Sequence, residues 1–357
     1  MARSFTSLIF KTAKRLGRLQ RAALLAAAPK AARRAAVRRK PAKPAAKPAA
    51  KAAAAASAGL GAGRWEASRQ YTDGSGRRLA FARYTPVSAP RTGMPLVVML
   101  HGCRQTSLAF ARGSRMNQWA DAGGFMVLYP QQSLARQVQR CWRWFQPDDA
   151  HGGAEADLIA GLIRSEAARF GVDPERIYIA GLSAGAGMAA LVALRHPRLI
   201  AAVAMHSGPV AGDAHSAAGG LAAMRRGSVK PLAPLLENIA DPTVFRLGMP
   251  ALILHGHLDP AVAPRNARQL FEQFRALNGV PADAAPVERV LGLGTERAYR
   301  RLDLQRGRST VLRLCEIIRL EHAWSGGDGS VRYHSANGPD ASALIWRFFR
   351  TQRRVAS

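Results

Sequence analysis

The pentapeptide Gly181-Leu182-Ser183-Ala184-Gly185 stands between a strand-like run, Arg176-Ile177-Tyr178-Ile179-Ala180, and a helix-like run from Ala186 to Leu194. A serine on so abrupt a strand-to-helix turn is expected in a strained backbone conformation, its hydroxyl raised above the end of a sheet. Glycines two residues away on either side fit that geometry, because a Cβ there would collide with a neighbouring strand or helix. Gly-X-Ser-X-Gly is common by chance. Its setting here makes Ser183 a candidate nucleophile.

The chain around it alternates strand and helix, as an open parallel sheet requires. Pro95–Leu100, Phe125–Pro130, Ala201–His206, Ala251–His255 and Thr310–Leu320 read as further strands, and Met116–Ala122 and Asp157–Phe170 as helices. Ligands and catalytic groups belong at the carboxyl ends of such strands. Gly256-His257-Leu258-Asp259 follows one strand, and Asp259 suits a carboxylate that orients an imidazole. Glu321-His322-Ala323-Trp324-Ser325-Gly326-Gly327 follows the last, and puts His322 on a glycine-rich loop. Ser183, Asp259 and His322 then occur in the chain order of an α/β-hydrolase triad. Two backbone N–H groups must face the developing oxyanion. Ala184 and Cys103, in the loop His101-Gly102-Cys103, are the expected donors, with Gln105 holding that loop or touching substrate. Asp259 also fits a helix cap. His101 and His206, which end strands, are expected to shape the site. His255, His257 and Asp259 resemble a metal cluster, but no further ligand follows at suitable spacing, so neither metal nor cofactor is expected.

The first 63 residues differ from the rest. Of the 52 Lys and Arg residues, 16 lie at or before Arg64, and no Asp or Glu precedes Glu66, so over half of the net charge of +29 sits in this tail. The expected organisation is a basic Ala/Pro/Lys-rich tail over 1–63 and a catalytic domain over 64–357, long enough for one full core. Within the tail, residues 4–23 place Phe5, Leu8, Ile9, Leu16 and Leu19 on one helical face opposite Lys11, Lys14, Arg15, Arg18 and Arg21, a pattern suited to an anionic membrane or granule surface. Lys30–Lys51 is too poor in apolar surface to order itself and reads as a solvated linker. Its charge would attract polyanions, yet no base-reading or stacking motif accompanies it, so nucleic acid is not an expected partner although charge alone leaves it open. Ile177–Leu194 is uncharged but carries the serine turn and reads as core, not as a membrane span. Ala22–Ala28 is too short and too alanine-rich for the apolar region of a secretory signal, although Ala26-Ala27-Ala28 resembles a cleavage site. Cys103, Cys141 and Cys315 make no disulfide framework. Cys103 and Cys141 either pair beside the site, implying an oxidising compartment, or remain free thiols.

Six motifs in this order resemble the polyhydroxybutyrate depolymerase family of esterases: His101-Gly102-Cys103-Arg104-Gln105, Cys141-Trp142-Arg143-Trp144-Phe145, the serine pentapeptide, His255-Gly256-His257-Leu258-Asp259, His322–Gly327 and Gly338-Pro339-Asp340-Ala341-Ser342. The resemblance covers about Trp65 to Thr351. It implies an α/β-hydrolase fold, a mostly parallel central sheet flanked by helices, with Ser183, Asp259 and His322 as triad. It further implies hydrolysis of poly(3-hydroxyalkanoate) or its oligomers, with acetylxylan or feruloyl esters as the alternative substrates. Trp142, Trp144 and Trp324 are expected to wall an aliphatic ester site. Relatives often carry Gly before the catalytic histidine where this chain has Glu321, and Leu277–Arg308 looks longer and more basic than a simple connection. Cytoplasmic, granule-associated placement is the expectation, with secretion the alternative. A reading of another class makes the chain a basic surface- or polyanion-binding protein whose hydrolase domain is secondary.

Overall fold

In the computed structural model, residues 59–90 and 92–354 are described. The expectations for the tail, including its amphipathic helix, lie outside them. Ten strands form one sheet in the order β1-β2-β4-β3-β5-β6-β7-β10-β9-β8. The middle six, β4 (Met126–Gln131), β3 (Leu96–Leu100), β5 (Ile177–Leu182), β6 (Ala202–His206), β7 (Ala251–Gly256) and β10 (Ser309–Ile317), run parallel. Antiparallel pairs extend both flanks: β1 (Arg64–Thr72) and β2 (Arg78–Thr85) beside β4, and β9 (Tyr299–Arg306) and β8 (Val287–Leu291) beside β10. The Leu277–Arg308 segment is thus more than a connection. It carries two strands.

Every residue of β3, β5, β6 and β7 is buried, which is why these strands read as unbroken apolar runs. Their side chains alternate between two cores. Val98, Ile179, Val203 and Ile253 meet α3 (Gly152–Phe170), α4 (Ala184–Arg195) and α8 (Arg265–Leu277). Val97, Ala180, Ala204 and Leu252 meet α1 (Ser107–Ser114), α2 (Met116–Gly123) and α9 (Ala341–Phe349). Each large apolar side chain buried this way stabilises by about 1.5–3 kcal/mol. Three shorter helices, α5 (Ala217–Arg226), α6 (Leu232–Glu237) and α7 (Thr243–Leu247), fill the connection from β6 to β7. The folded part begins before Arg64. Leu60 is buried, and its carbonyl accepts a hydrogen bond from Asn117 Nδ2 at 2.8 Å.

Register sets the site. Leu100 pairs with Gly181, Gly181 with Met205, Met205 with Ile253 and Ile253 with Leu314. The segments that follow these positions therefore emerge along one edge of the sheet, which is the crevice parallel sheets use for ligands. Among the described residues, no helix is long and apolar enough to cross a membrane.

Candidate active site

Ser183 has φ 57° and ψ −120°, an arrangement that costs a non-glycine residue about 1–3 kcal/mol unless its surroundings impose it. They do. Its N–H donates to His206 O at 2.9 Å, and its carbonyl accepts from Ala186 and Gly187 N–H at 2.9 and 3.1 Å as α4 begins. A Cβ on Gly181 would overlap Gly185 O, and one on Gly185 would overlap Leu100 O at the end of β3. Only glycine lets β3, β5 and α4 converge so closely.

The base side is built from side chains. His322 Nδ1 donates to Asp259 Oδ2 at 2.7 Å. Asp259 Oδ1 accepts from Ala261 and Val262 N–H at 2.9 and 2.8 Å, which fixes the turn after β7. Burial alone would push the Asp259 carboxyl up. The hydrogen bond and charge of His322, with Val262 N–H and His255, outweigh it and hold the group below its usual value. Behind it, His255 Nε2 donates to Val262 O at 2.8 Å and lies 3.6 Å from Asp259 Oδ2. Burial keeps His255 neutral by lowering its pKa. The Asp259 side chain is fully enclosed, whereas His322 remains 17% exposed. Among the described residues, no hydrogen bond joins the Ser183 hydroxyl to His322. Such contacts often tighten only with substrate in place.

Opposite lies the loop after β3. His101 Nδ1 donates to Gly102 O at 2.8 Å, while Nε2 accepts from Gln132 N–H at 3.1 Å. Burial drives its pKa down to about 4, so the imidazole serves as a neutral strut. Gly102 N–H donates to Gln105 Oε1 at 2.8 Å and Arg104 N–H to Gln139 O at 2.6 Å. Between them, Cys103 N–H makes no hydrogen bond among the described residues. Ala184 N–H, the first of α4, makes none either, as helix geometry dictates. A Cβ built on Gly102 would lie 3.6 Å from Ser183 Cβ, which puts this loop against the nucleophile turn. Cys103 and Cys141 form a disulfide. Gln105 also ties the loop to the histidine loop, donating from Nε2 to Arg332 O at 3.3 Å.

Two of the three tryptophans, Trp142 and Trp324, stand behind the site. Trp142 and Trp324 are 1% and 0% exposed, so neither presents a face to substrate as expected. Trp142 Nε1 instead donates to His101 O at 3.1 Å, bracing the loop, and Trp324 stacks on His206 with ring centroids 5.3 Å apart. Trp144, 8% exposed, packs against Phe145 and beside Gly187. His206 is held by Ser207 Oγ and Ser325 N–H at 3.2 Å each, and burial lowers its pKa to about 3. Glu321 is exposed. Sequence reasoning passed over Gln132 and Ser325, whose only signal was nearness to a strand-end histidine in space.

A sheet with this strand order, a strained serine on the β5–α4 turn and an Asp–His pair from later strand ends defines an α/β-hydrolase. Its architecture is similar to that of an acetyl xylan esterase from Aspergillus awamori, with a TM-score of 0.65 over 80% of this chain and 100% of that one, at 20% identity. The chain belongs to the Esterase PHB depolymerase family, whose model matches residues 79–297. Asp259 falls within that match and His322 beyond it. The chain is 32% identical over 219 residues to poly(3-hydroxyalkanoate) depolymerase C of Paucimonas lemoignei, covering 57% of this chain and 49% of the relative. It is 27% identical over 193 residues to a probable acetylxylan esterase A of Aspergillus fumigatus, covering 52% and 51%. The chain therefore spans about half the length of these curated relatives.

Proposed function

We propose that this chain is a serine esterase acting on poly(3-hydroxyalkanoate) or its oligomers. The 2.7 Å Asp259–His322 hydrogen bond carries the reading, since it leaves the far nitrogen of His322 to serve the same sheet edge as Ser183. His322 takes the Ser183 proton as Oγ attacks the ester carbonyl. Cys103 and Ala184 N–H hold the oxyanion. The collapsing intermediate releases the alcohol, protonated by His322, and leaves an acyl-serine. Water, deprotonated by His322, then frees the acid and restores the serine. Asp259 keeps the imidazole in the required tautomer and stabilises its cation.

Polymer or oligomer ester as substrate rests on the kinship with a depolymerase. A second reading, an acetyl or feruloyl carbohydrate esterase, is favoured by the acetylxylan esterase relative and by feruloyl esterase B of Neurospora crassa, 27% identical over 216 residues. The Cys103–Cys141 disulfide favours an oxidising compartment over the cytoplasm, so secretion replaces the cytoplasmic expectation in this proposal. The 1–63 tail remains proposed as a surface-seeking element.

The test compares amorphous poly(3-hydroxybutyrate), acetylated xylan and a soluble short-chain p-nitrophenyl ester, each with Ser183→Ala as control. Serine-dependent release from the polyester supports the leading reading. Release from xylan alone replaces it with the carbohydrate reading, and undiminished turnover by Ser183→Ala sinks both.

A further inference from the structure

A buried carboxylate that the proposed chemistry does not use stands against the segment bearing Cys141. Glu155, in the first turn of α3, is 6% exposed. Its Oε1 accepts from Gln132 Nε2 at 2.8 Å and its Oε2 from Arg143 N–H at 2.9 Å. An acid in a first turn gains from the helix dipole. An exposed acid would gain this without losing its hydration, so the burial of Glu155 needs another cause. Burial pushes its carboxyl up, against the pull of Arg143 N–H, Gln132 and the charges of Arg143 and Arg136.

The residues that Glu155 holds are the ones that hold the loop of Cys103. Cys141 and Arg143 flank Trp142, and Gln132 Nε2, besides meeting Glu155, reaches Cys141 O at 3.3 Å. Three links then run to the segment His101–Cys103. Trp142 Nε1 donates to His101 O and Gln132 N–H to His101 Nε2, each at 3.1 Å, and Cys141 is bonded to Cys103. The far end of the Cys141 segment is anchored without Glu155. Gly152 and Gly153 N–H donate to Gln146 O and Asp148 O at 2.7 and 2.9 Å. The contacts of Glu155 therefore fall on the end beside Cys103. Their direction is also fixed. Ser133 N–H donates to Gln132 Oε1 at 2.9 Å, so that amide must turn its NH2 to Glu155. Arg143 N–H is main chain. Both Glu155 oxygens face groups that can only donate, a demand that a carboxylate meets and an amide does not.

The geometry points to Glu155 as a positioning residue for the oxyanion hole: through Gln132 and the Cys141–Arg143 segment, it sets where Cys103 N–H stands. This inference rests on the esterase reading and adds a residue to its machinery. Oxyanion donors act through placement fixed before the reaction, and a misplacement of about 1 Å costs about 10²-fold. Glu155 touches no reacting atom. Its whole effect passes through the loop it holds.

The experiment uses the full chain with a soluble short-chain p-nitrophenyl ester and its thionoester, in which sulfur replaces the carbonyl oxygen. Sulfur accepts hydrogen bonds weakly, so an intact hole favours the ester. Loss of folded enzyme scales both rates alike, whereas a displaced hole changes their ratio. Glu155→Gln should lower kcat on the ester by about tenfold to a hundredfold, leave KM within about twofold, and lower the ester-to-thionoester ratio of kcat/KM by about tenfold. Adding Gln132→Glu exchanges the two groups. The new carboxylate then accepts from Ser133 N–H and from the new amide, whose oxygen accepts from Arg143 N–H. Only the 3.3 Å contact to Cys141 O is lost, and the ratio should return most of the way to wild type. Glu155→Asp, which keeps the charge but shortens its reach, is read in the same way should Glu155→Gln not fold. An unchanged ratio in the folded variant overturns the role of Glu155, whatever happens to kcat, and leaves the esterase standing. A lowered ratio that the exchange does not restore overturns it as well. Wild-type enzyme that turns over no ester overturns the esterase reading and this inference together.

Discussion

The two halves of the proposed active site are made of different material. On the nucleophile side, Ser183 owes its position to main chain: a left-handed φ, its N–H on His206 O, and glycines whose missing Cβ atoms let Leu100 O approach. On the base side, Asp259 and His322 come from loops 63 residues apart and meet through one side-chain hydrogen bond, while Leu258 N–H on Leu320 O ties the two loops by main chain. The contrast teaches where each half is vulnerable. Altering the backbone half should disturb packing and chemistry together. Altering the side-chain half should remove chemistry and leave the fold.

Asp259→Asn is the largest expected break. The amide cannot hold the imidazolium, and kcat should fall by about 10⁴, as carboxylate loss does in other triads. Circular dichroism should stay native, and an active Asp259→Asn enzyme would remove Asp259 from the mechanism. Reducing or replacing the Cys103–Cys141 bridge tests the loop that joins the halves. Its sequence separation of 38 residues corresponds to about 3–4 kcal/mol of chain-entropy stabilisation. Thermal unfolding with and without reductant reads this, and turnover should fall as Cys103 loses its anchor. Gly185→Ala should cost about 1–3 kcal/mol through overlap with Leu100 O, together with esterase activity. Loss of activity at unchanged Tm would show that the backbone half is not tied to packing.

The smallest expected effect is a slope. His101 and His206 are held neutral by burial, down to about 4 and about 3, whereas in the unfolded chain they titrate near about 6.5. As pH falls below about 6.5 the unfolded state takes up protons that the folded state refuses, so stability is full above that value and declines towards pH 4. Asp259 acts in the same direction at lower pH: its stabilisation is present above about 3.9 and lost as pH falls through its lowered folded value. Tm measured between pH 7 and 5 should fall, and His101→Gln should make the fall shallower. An unchanged slope would exclude His101 as its source.

Particular elements mark how far sequence reading reached. The strand expected at Pro95–Leu100 is β3, Leu96–Leu100, and the helix expected from Ala186 to Leu194 lies within α4, Ala184–Arg195. These were legible because strands buried on both faces are uniformly apolar. The flanking strands β1 and β8 escaped notice because their residues are mostly exposed and the burial period is broken. Trp142 and Trp324 were read as substrate walls, since an aromatic beside a catalytic motif looks the same in sequence whether it faces the cleft or the core.

By itself, the sequence determined the parallel core and the serine turn, because strand, glycine spacing and helix are neighbours along the chain and their sterics are local. Tertiary structure alone decided that Asp259 meets His322, that Cys103 is bridged to Cys141, and that His101, His206 and His255 are neutral struts. Those outcomes depend on β-strand register and on burial. Both arise only when segments far apart in sequence exclude water from the same place.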